Sequence, residues 1–154
     1  MTDATDHALQ PAMRKLLLGL VALVMVGTIM DLLLLEHYEE AWQWVPLVVL
    51  AAALGVAAWT AYAGSPLAVT TFRIAMVLVV CTGLLGVVMH YNGSREFQIE
   101  MDPALTGWAL FVKVMRAKAP PTLAPAAMIQ AGLFGLLYTW RHPALILPTN
   151  GVLR

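Results

Sequence analysis

Four apolar runs, each about 18–20 residues long and almost free of charge, constrain this 154-residue chain more than any other feature. They extend from Leu16 to Leu35, Pro46 to Ala63, Ile74 to Tyr91, and Leu123 to Trp140. A helix rises about 1.5 Å per residue, so each run matches a hydrocarbon core of about 30 Å. Soluble domains carry about 25% charged residues, whereas this chain carries 12%, and 60% of it is hydrophobic. Four such helices in so short a chain leave no polar faces with which to cover a water-soluble core. The expected fold is an all-α integral membrane protein, a four-transmembrane-helix bundle.

The runs imply one membrane domain over residues 14–142, with helices over about 16–36, 46–63, 74–91 and 123–140. A polar tail over 1–13 precedes it and a tail over 143–154 follows. Asp3 and Asp6 stand where a signal peptide carries basic residues, and the first run exceeds the 7–15 residues of a typical signal core, so it reads as a retained helix. Gly64-Ser65-Pro66 separates the second and third runs, Asn92-Gly93 closes the third, and Arg141-His142-Pro143 closes the fourth.

The outer loop between helices 3 and 4 has two parts. Glu96, Gln98 and Glu100 alternate with Phe97, Ile99 and Met101, which predicts an extended segment. Asp102-Pro103 then predicts the start of a short amphipathic helix over about 103–117, with Asp as N-cap and Pro at the first helical position. Its apolar face is expected to be Leu105, Trp108, Val112 and Met115, its cationic end Lys113, Arg116 and Lys118, and its stop Pro120-Pro121. Such a helix suits a membrane surface or the cap of a bundle.

Basic residues orient the chain. With the N-terminus inside, Arg14, Lys15, Arg73, Arg141 and Arg154 are inner, while Arg95, Lys113, Arg116 and Lys118 are outer. Arg14 and Lys15 abut the first helix, so both termini are expected in the cytoplasm of a multi-pass protein of a bacterial inner membrane. Net charge is zero, which gives no basis for a nucleic-acid partner. The expected partners are the lipid bilayer and either another membrane protein or further copies of this chain. Ala127, Ala131 and Gly135, like Ala51 and Gly55, recur at four-residue spacing that lets membrane helices approach closely. A weak internal echo pairs Glu36-His37-Tyr38 with Met89-His90-Tyr91.

That topology gathers Glu36, His37, Glu39, Glu40, His90, Glu96, Glu100 and Asp102 at the outer face. Carboxylates with imidazoles can hold a divalent metal ion, and Glu36, His37, Glu40 and His90 are the candidate ligands. The competing reading is that they end hydrophobic spans in water. Haem held between two histidines is disfavoured by depth. On straight helices His37 lies about 33 Å from Lys15 along the axis, and His90 about 26 Å from Arg73. Inside the apolar runs, Asp31 and Gln130 are the polar residues of interest. A carboxylate at a span centre costs about 2.5–3.5 kcal/mol, so Asp31 is expected to face into the bundle, bonded to Thr82 or Tyr38. Gln130 is expected to bond a neighbouring helix.

Cys81 is the single cysteine, so no internal disulfide or CxxC pair exists, and it is expected to be buried. Ser65 and Ser94 lack catalytic context, and no phosphate loop is present. No cofactor is implied beyond that metal ion. The expected function is non-enzymatic: an accessory, assembly or structural subunit of a membrane complex. The alternatives are an ion- or metal-handling protein and an enzyme acting on a lipid or quinone at the outer interface.

Overall fold

A computed structural model describes residues 2–117 and 122–146, with side chains described from Gln10 onward. The described chain is entirely helical: α1 (Thr2–Leu34), α2 (Trp44–Ala63), α3 (Pro66–Met101), α4 (Gly107–Met115) and α5 (Leu123–Thr139), with short 3-10 turns at Ala41–Gln43 and Pro143–Leu145. Three helices are long and apolar enough to cross a membrane, α1 from Gln10, α2 and α3. Helix α5 is apolar over 17 residues.

The helices form a square. α1 packs on α2 and α5, and α3 packs on the same two, so α1 and α3 lie on one diagonal. Each neighbour runs antiparallel. Each helix presents a buried stripe at three- and four-residue spacing, the geometry that lets side chains interlock between near-antiparallel helices. On α1 it is Leu18, Val21, Met25, Thr28 and Leu32, and on α2 it is Leu47, Leu50, Ala53, Ala57 and Thr60. Leu50, Phe72, Met76, Val79 and Ala131 are fully enclosed with them. Around this core the exterior is a continuous apolar surface that includes Leu16, Leu23, Val48, Leu67, Leu84 and Leu137.

Close approach of α3 and α5 depends on glycine. A Cβ on Gly132 would lie 2.8 Å from the Met76 carbonyl oxygen, and one on Gly83 would lie 2.9 Å from that of Pro125. Of the small residues read from the sequence, Ala131 and Gly135 are buried here, whereas Ala51 and Gly55 face outward with open space beside Gly55. The turn between α2 and α3 matches its local signals. Gly64 takes a left-handed conformation (φ 55°) and donates to the Thr60 carbonyl, and Ser65 accepts from the Ala68 N–H with Pro66 at the helix start.

Five sequence expectations require correction. The first helix does not begin near Leu16, because α1 begins at Thr2, takes in the polar stretch over 2–13 and runs through Pro11, which costs one backbone bond. Helix α3 does not stop at Asn92-Gly93, and residues 96–101 are helical rather than extended. Tyr91, Ser94, Gln98 and Asp102 form a half-buried stripe at helical spacing under α4, and that stripe outweighs a six-residue alternation. Asp102 caps the end of α3 instead of starting the next helix, and Thr106 precedes α4. α4 buries Leu110 and Val114, while Trp108 is 75% exposed and stacks on Phe111 at 5.0 Å. Lys118, Pro120, Pro121 and Arg154 lie outside the described residues.

One end of the bundle, called inner here, is clamped. Arg14 of α1 donates from Nη1 to the Tyr138 carbonyl at 2.6 Å, and from Nη2 to the Trp140 and Arg141 carbonyls at 3.1 Å each. Arg73 of α3 donates from Nε to Thr139 Oγ1 at 3.1 Å and from Nη2 to the Thr139 carbonyl at 2.9 Å. Two cations thus close the carbonyl end of α5, where the backbone leaves acceptors unpaired and the helix dipole is negative. His142 sits beside them and accepts at Nδ1 from the Ala144 N–H at 3.2 Å. Partial burial, then the Arg14 and Arg73 charges, hold its pKa below the ordinary imidazole value.

Candidate functional site

The opposite, outer end of the bundle is open. Its shape begins with the way α1 stops. The Glu36 N–H bonds the Leu33 carbonyl at 3.1 Å and the His37 N–H bonds the Leu32 carbonyl at 2.9 Å, with Glu36 at φ 53°. This pair of bonds is the left-handed helix ending usually built on glycine. It turns the chain back over the helix end, and the strap of residues 35–43 follows. Two indoles tie that strap. Trp44 Nε1 donates to the Tyr38 carbonyl at 3.0 Å, and Trp42 Nε1 donates to Glu40 Oε2 at 2.7 Å.

The turn-back brings His37 to His90. Their ring centroids are 5.7 Å apart and the planes tilt by 34°. The difference in depth expected on straight helices is therefore absent. α1 ends at Leu34 and the chain reverses, so His37 does not continue along the helix axis.

Beneath the two imidazoles lies a crevice of about 230 Å³. α1 contributes Leu32, α3 contributes Thr82, Leu85, Gly86, Met89 and His90, α5 contributes Ala124, Pro125 and Met128, and the strap with the start of α2 supplies His37, Glu40, Trp42, Gln43, Val45 and Pro46. Its walls are apolar apart from Thr82, and its other polar side chains are His37, Glu40, Gln43 and His90. Each neutral imidazole offers one N–H donor and one nitrogen acceptor. The arrangement can grip a molecule with a small polar head and an apolar body, the usual composition of a ligand pocket.

The four residues proposed from sequence as metal ligands do not converge. Among the described residues no group of three or more His, Cys, Asp or Glu side chains is disposed to hold one ion. His37 and His90 face each other, the Glu40 carboxylate accepts from Trp42, and Glu36 is exposed on the helix ending. Asp31 does not point into the bundle. Leu32 and Thr28 occupy that face, and Asp31 is exposed, as is Gly27. Gln130 and Cys81 are exposed on the outside as well.

Sequence reasoning missed Thr82, Gly86 and Pro125 as crevice residues. None of them carries a local sequence signal, because the approach that matters, a Cβ on Gly86 lying 3.2 Å from Pro125 Cγ, exists only once α3 and α5 are packed. No family model matches the chain, and no curated protein or solved structure is similar to it.

Proposed function

We propose that this is a four-span membrane protein that binds a lipid-soluble molecule with a ring-shaped, carbonyl-bearing head, of the quinone class, in the outer crevice. The observation that carries the reading is the facing pair His37 and His90 at the rim of an apolar crevice. Imidazole N–H groups suit carbonyl acceptors, and the walls suit a ring. At about 230 Å³ the space is below the 300–1,000 Å³ typical of sites that engulf a whole ligand. It fits a head whose tail leaves between the helices, and it excludes a two-chain lipid. In this reading α5 is the fourth span, because its 17 apolar residues and the flanking Trp140 approach the length a thin hydrocarbon core needs. Both termini are cytoplasmic, with Arg14, Lys15, Arg73 and Arg141 on that side.

The test is titration of the purified protein with a short-tailed benzoquinone, followed by quenching of Trp42, which lines the crevice. Saturable quenching is expected, and the His37→Phe/His90→Phe double variant should lose at least about tenfold in affinity. Undiminished binding by that variant would overturn the reading. Single cysteines placed in the strap and at the α2–α3 turn, in a Cys81→Ser background, should label from opposite sides of sealed vesicles. Labelling from one side would remove the four-span topology.

A second reading is favoured by Asp31 and Gln130. Both are polar, both sit within apolar runs, and both are exposed on the outside of the bundle. In lipid such groups seek hydrogen-bonding partners on another helix. This is the surface expected of an accessory subunit in a larger membrane complex. Co-purification of a partner that Asp31→Leu/Gln130→Leu abolishes would support it, and an unchanged lone monomer would count against it.

A further inference from the structure

The outer crevice leaves one large feature of the inner end unused. Between α1 and α5, on the outside of the bundle, runs an open groove of about 730 Å³. Its α1 wall carries Gln10, Arg14, Leu17 and Leu20 at successive intervals of four, three and three residues, so one stripe passes from polar to apolar over about 15 Å. Leu137 continues the apolar part from α5, and Trp140 borders the polar end, where indoles settle at a membrane surface.

Arg14 is unusual in being both committed and available. A guanidinium carries about five N–H donors. Three bonds go to the carbonyls that end α5, through Nη1 once and Nη2 twice. The Nε–H and the second Nη1–H remain, on a side chain already fixed in place and lining the groove. Ordering cost has therefore been met by the fold itself.

The charge immediately around Arg14 has one sign. Lys15 and Arg141 are exposed nearby, and residues 10–17, 64–73 and 138–146 contain no Asp or Glu. Asp6, earlier on α1, lies about 6 Å along the axis from Gln10 and about 12 Å from Arg14, so the cationic part of the site is at Arg14.

We propose that this groove binds an anionic phospholipid of the inner leaflet. Its phosphate sits on the free N–H groups of Arg14 and on Gln10, and one acyl chain lies along Leu17, Leu20 and Leu137. Arg14 and phosphate make a charge-assisted contact, and Lys15 and Arg141 oppose a cationic headgroup such as choline. The proposal rests on the membrane-crossing reading above and is independent of what the outer crevice holds.

The experiment reconstitutes the full chain in bilayers of phosphatidylcholine with a minor fraction of phosphatidylglycerol, extracts it gently, and counts retained lipids by native mass spectrometry. Phosphatidylglycerol should be enriched about tenfold over its share of the bilayer. Arg14→Gln should lose the enrichment. Leu20→Trp, on an exposed groove residue clear of the clamp, should lose it while keeping the wild-type melting temperature. Retention blind to headgroup, or enrichment unchanged in Leu20→Trp, would overturn the site. Displacement of the retained lipid by inorganic phosphate would also overturn it, by marking a free-anion site. Recovery of the chain from the soluble fraction without detergent would overturn the membrane reading and this site together, before any lipid is counted.

Discussion

The two ends of this bundle are built on opposite plans. At the inner end, Arg14 and Arg73 reach from α1 and α3 to the carbonyls that end α5, and three helices are tied by bonds to charged donors. At the outer end α1 stops on a left-handed glutamate, a strap crosses over, and a crevice opens among the helices. Between the ends, α3 and α5 touch backbone to side chain at glycines. On the proposed reading, the contrast separates stability from binding. The clamp and the glycine seam hold the bundle, which leaves the outer end free to carry a cavity and a backbone conformation that disfavours its own residue.

Perturbing each part should confirm or erase that division. The largest effect is expected at the seam. Gly132→Leu places a branched side chain where even a Cβ meets the Met76 carbonyl, so thermal unfolding in detergent should show a loss above about 3 kcal/mol. Arg14→Gln should cost about 2 kcal/mol by leaving carbonyls at the end of α5 without a cation, while quinone-type binding at the outer end stays unchanged. A parallel loss of outer-end binding would show that the ends are not separable. Glu36→Gly should act in the reverse direction. It relieves the left-handed backbone, and a gain of about 0.5–1 kcal/mol is expected after the added freedom of the unfolded chain. A loss there would mean that Glu36 is held by something other than its backbone.

The smallest effect is the response to pH at the inner end. The pKa of His142 is lowered by burial and by Arg14 and Arg73, so the unfolded chain takes up that proton before the folded one. Its contribution is complete above the ordinary value of 6.5 and is lost as pH falls below it. Melting temperatures measured from pH 7.5 downward should fall less in His142→Gln than in the wild type.

Features written in adjacent residues were legible from sequence, and features that depend on a choice of face were not. Gly64-Ser65-Pro66 announced the α2–α3 turn because a left-handed residue, an N-cap and a proline each act locally. The long apolar runs announced themselves by length. Which side of α1 turns inward could not be read, because Leu, Val and Ile surround it on every side and polarity gives no contrast. Asp31 was placed inside because a carboxylate is costly in lipid, and Cys81 because its run is apolar, yet both face out. The pairing of His37 with His90 was hidden for a different cause. It depends on Glu36 adopting a conformation that glycine or asparagine would have advertised. The continuation of α3 past Gly93 was hidden because the docking of α4, and not intrinsic preference, stabilises it.

The uninterrupted length of α3 has a mechanical consequence. A helix gripped along part of its length moves most where the grip ends. α3 is held to α5 from Arg73, at the clamp, to Gly86, against Pro125, and His90 rides about 6 Å beyond that grip. His37 hangs instead from the strap that leaves α1. Whatever leans on the far end of the rod, through α4 or through its exposed last turns, therefore sets the gap between the two imidazoles.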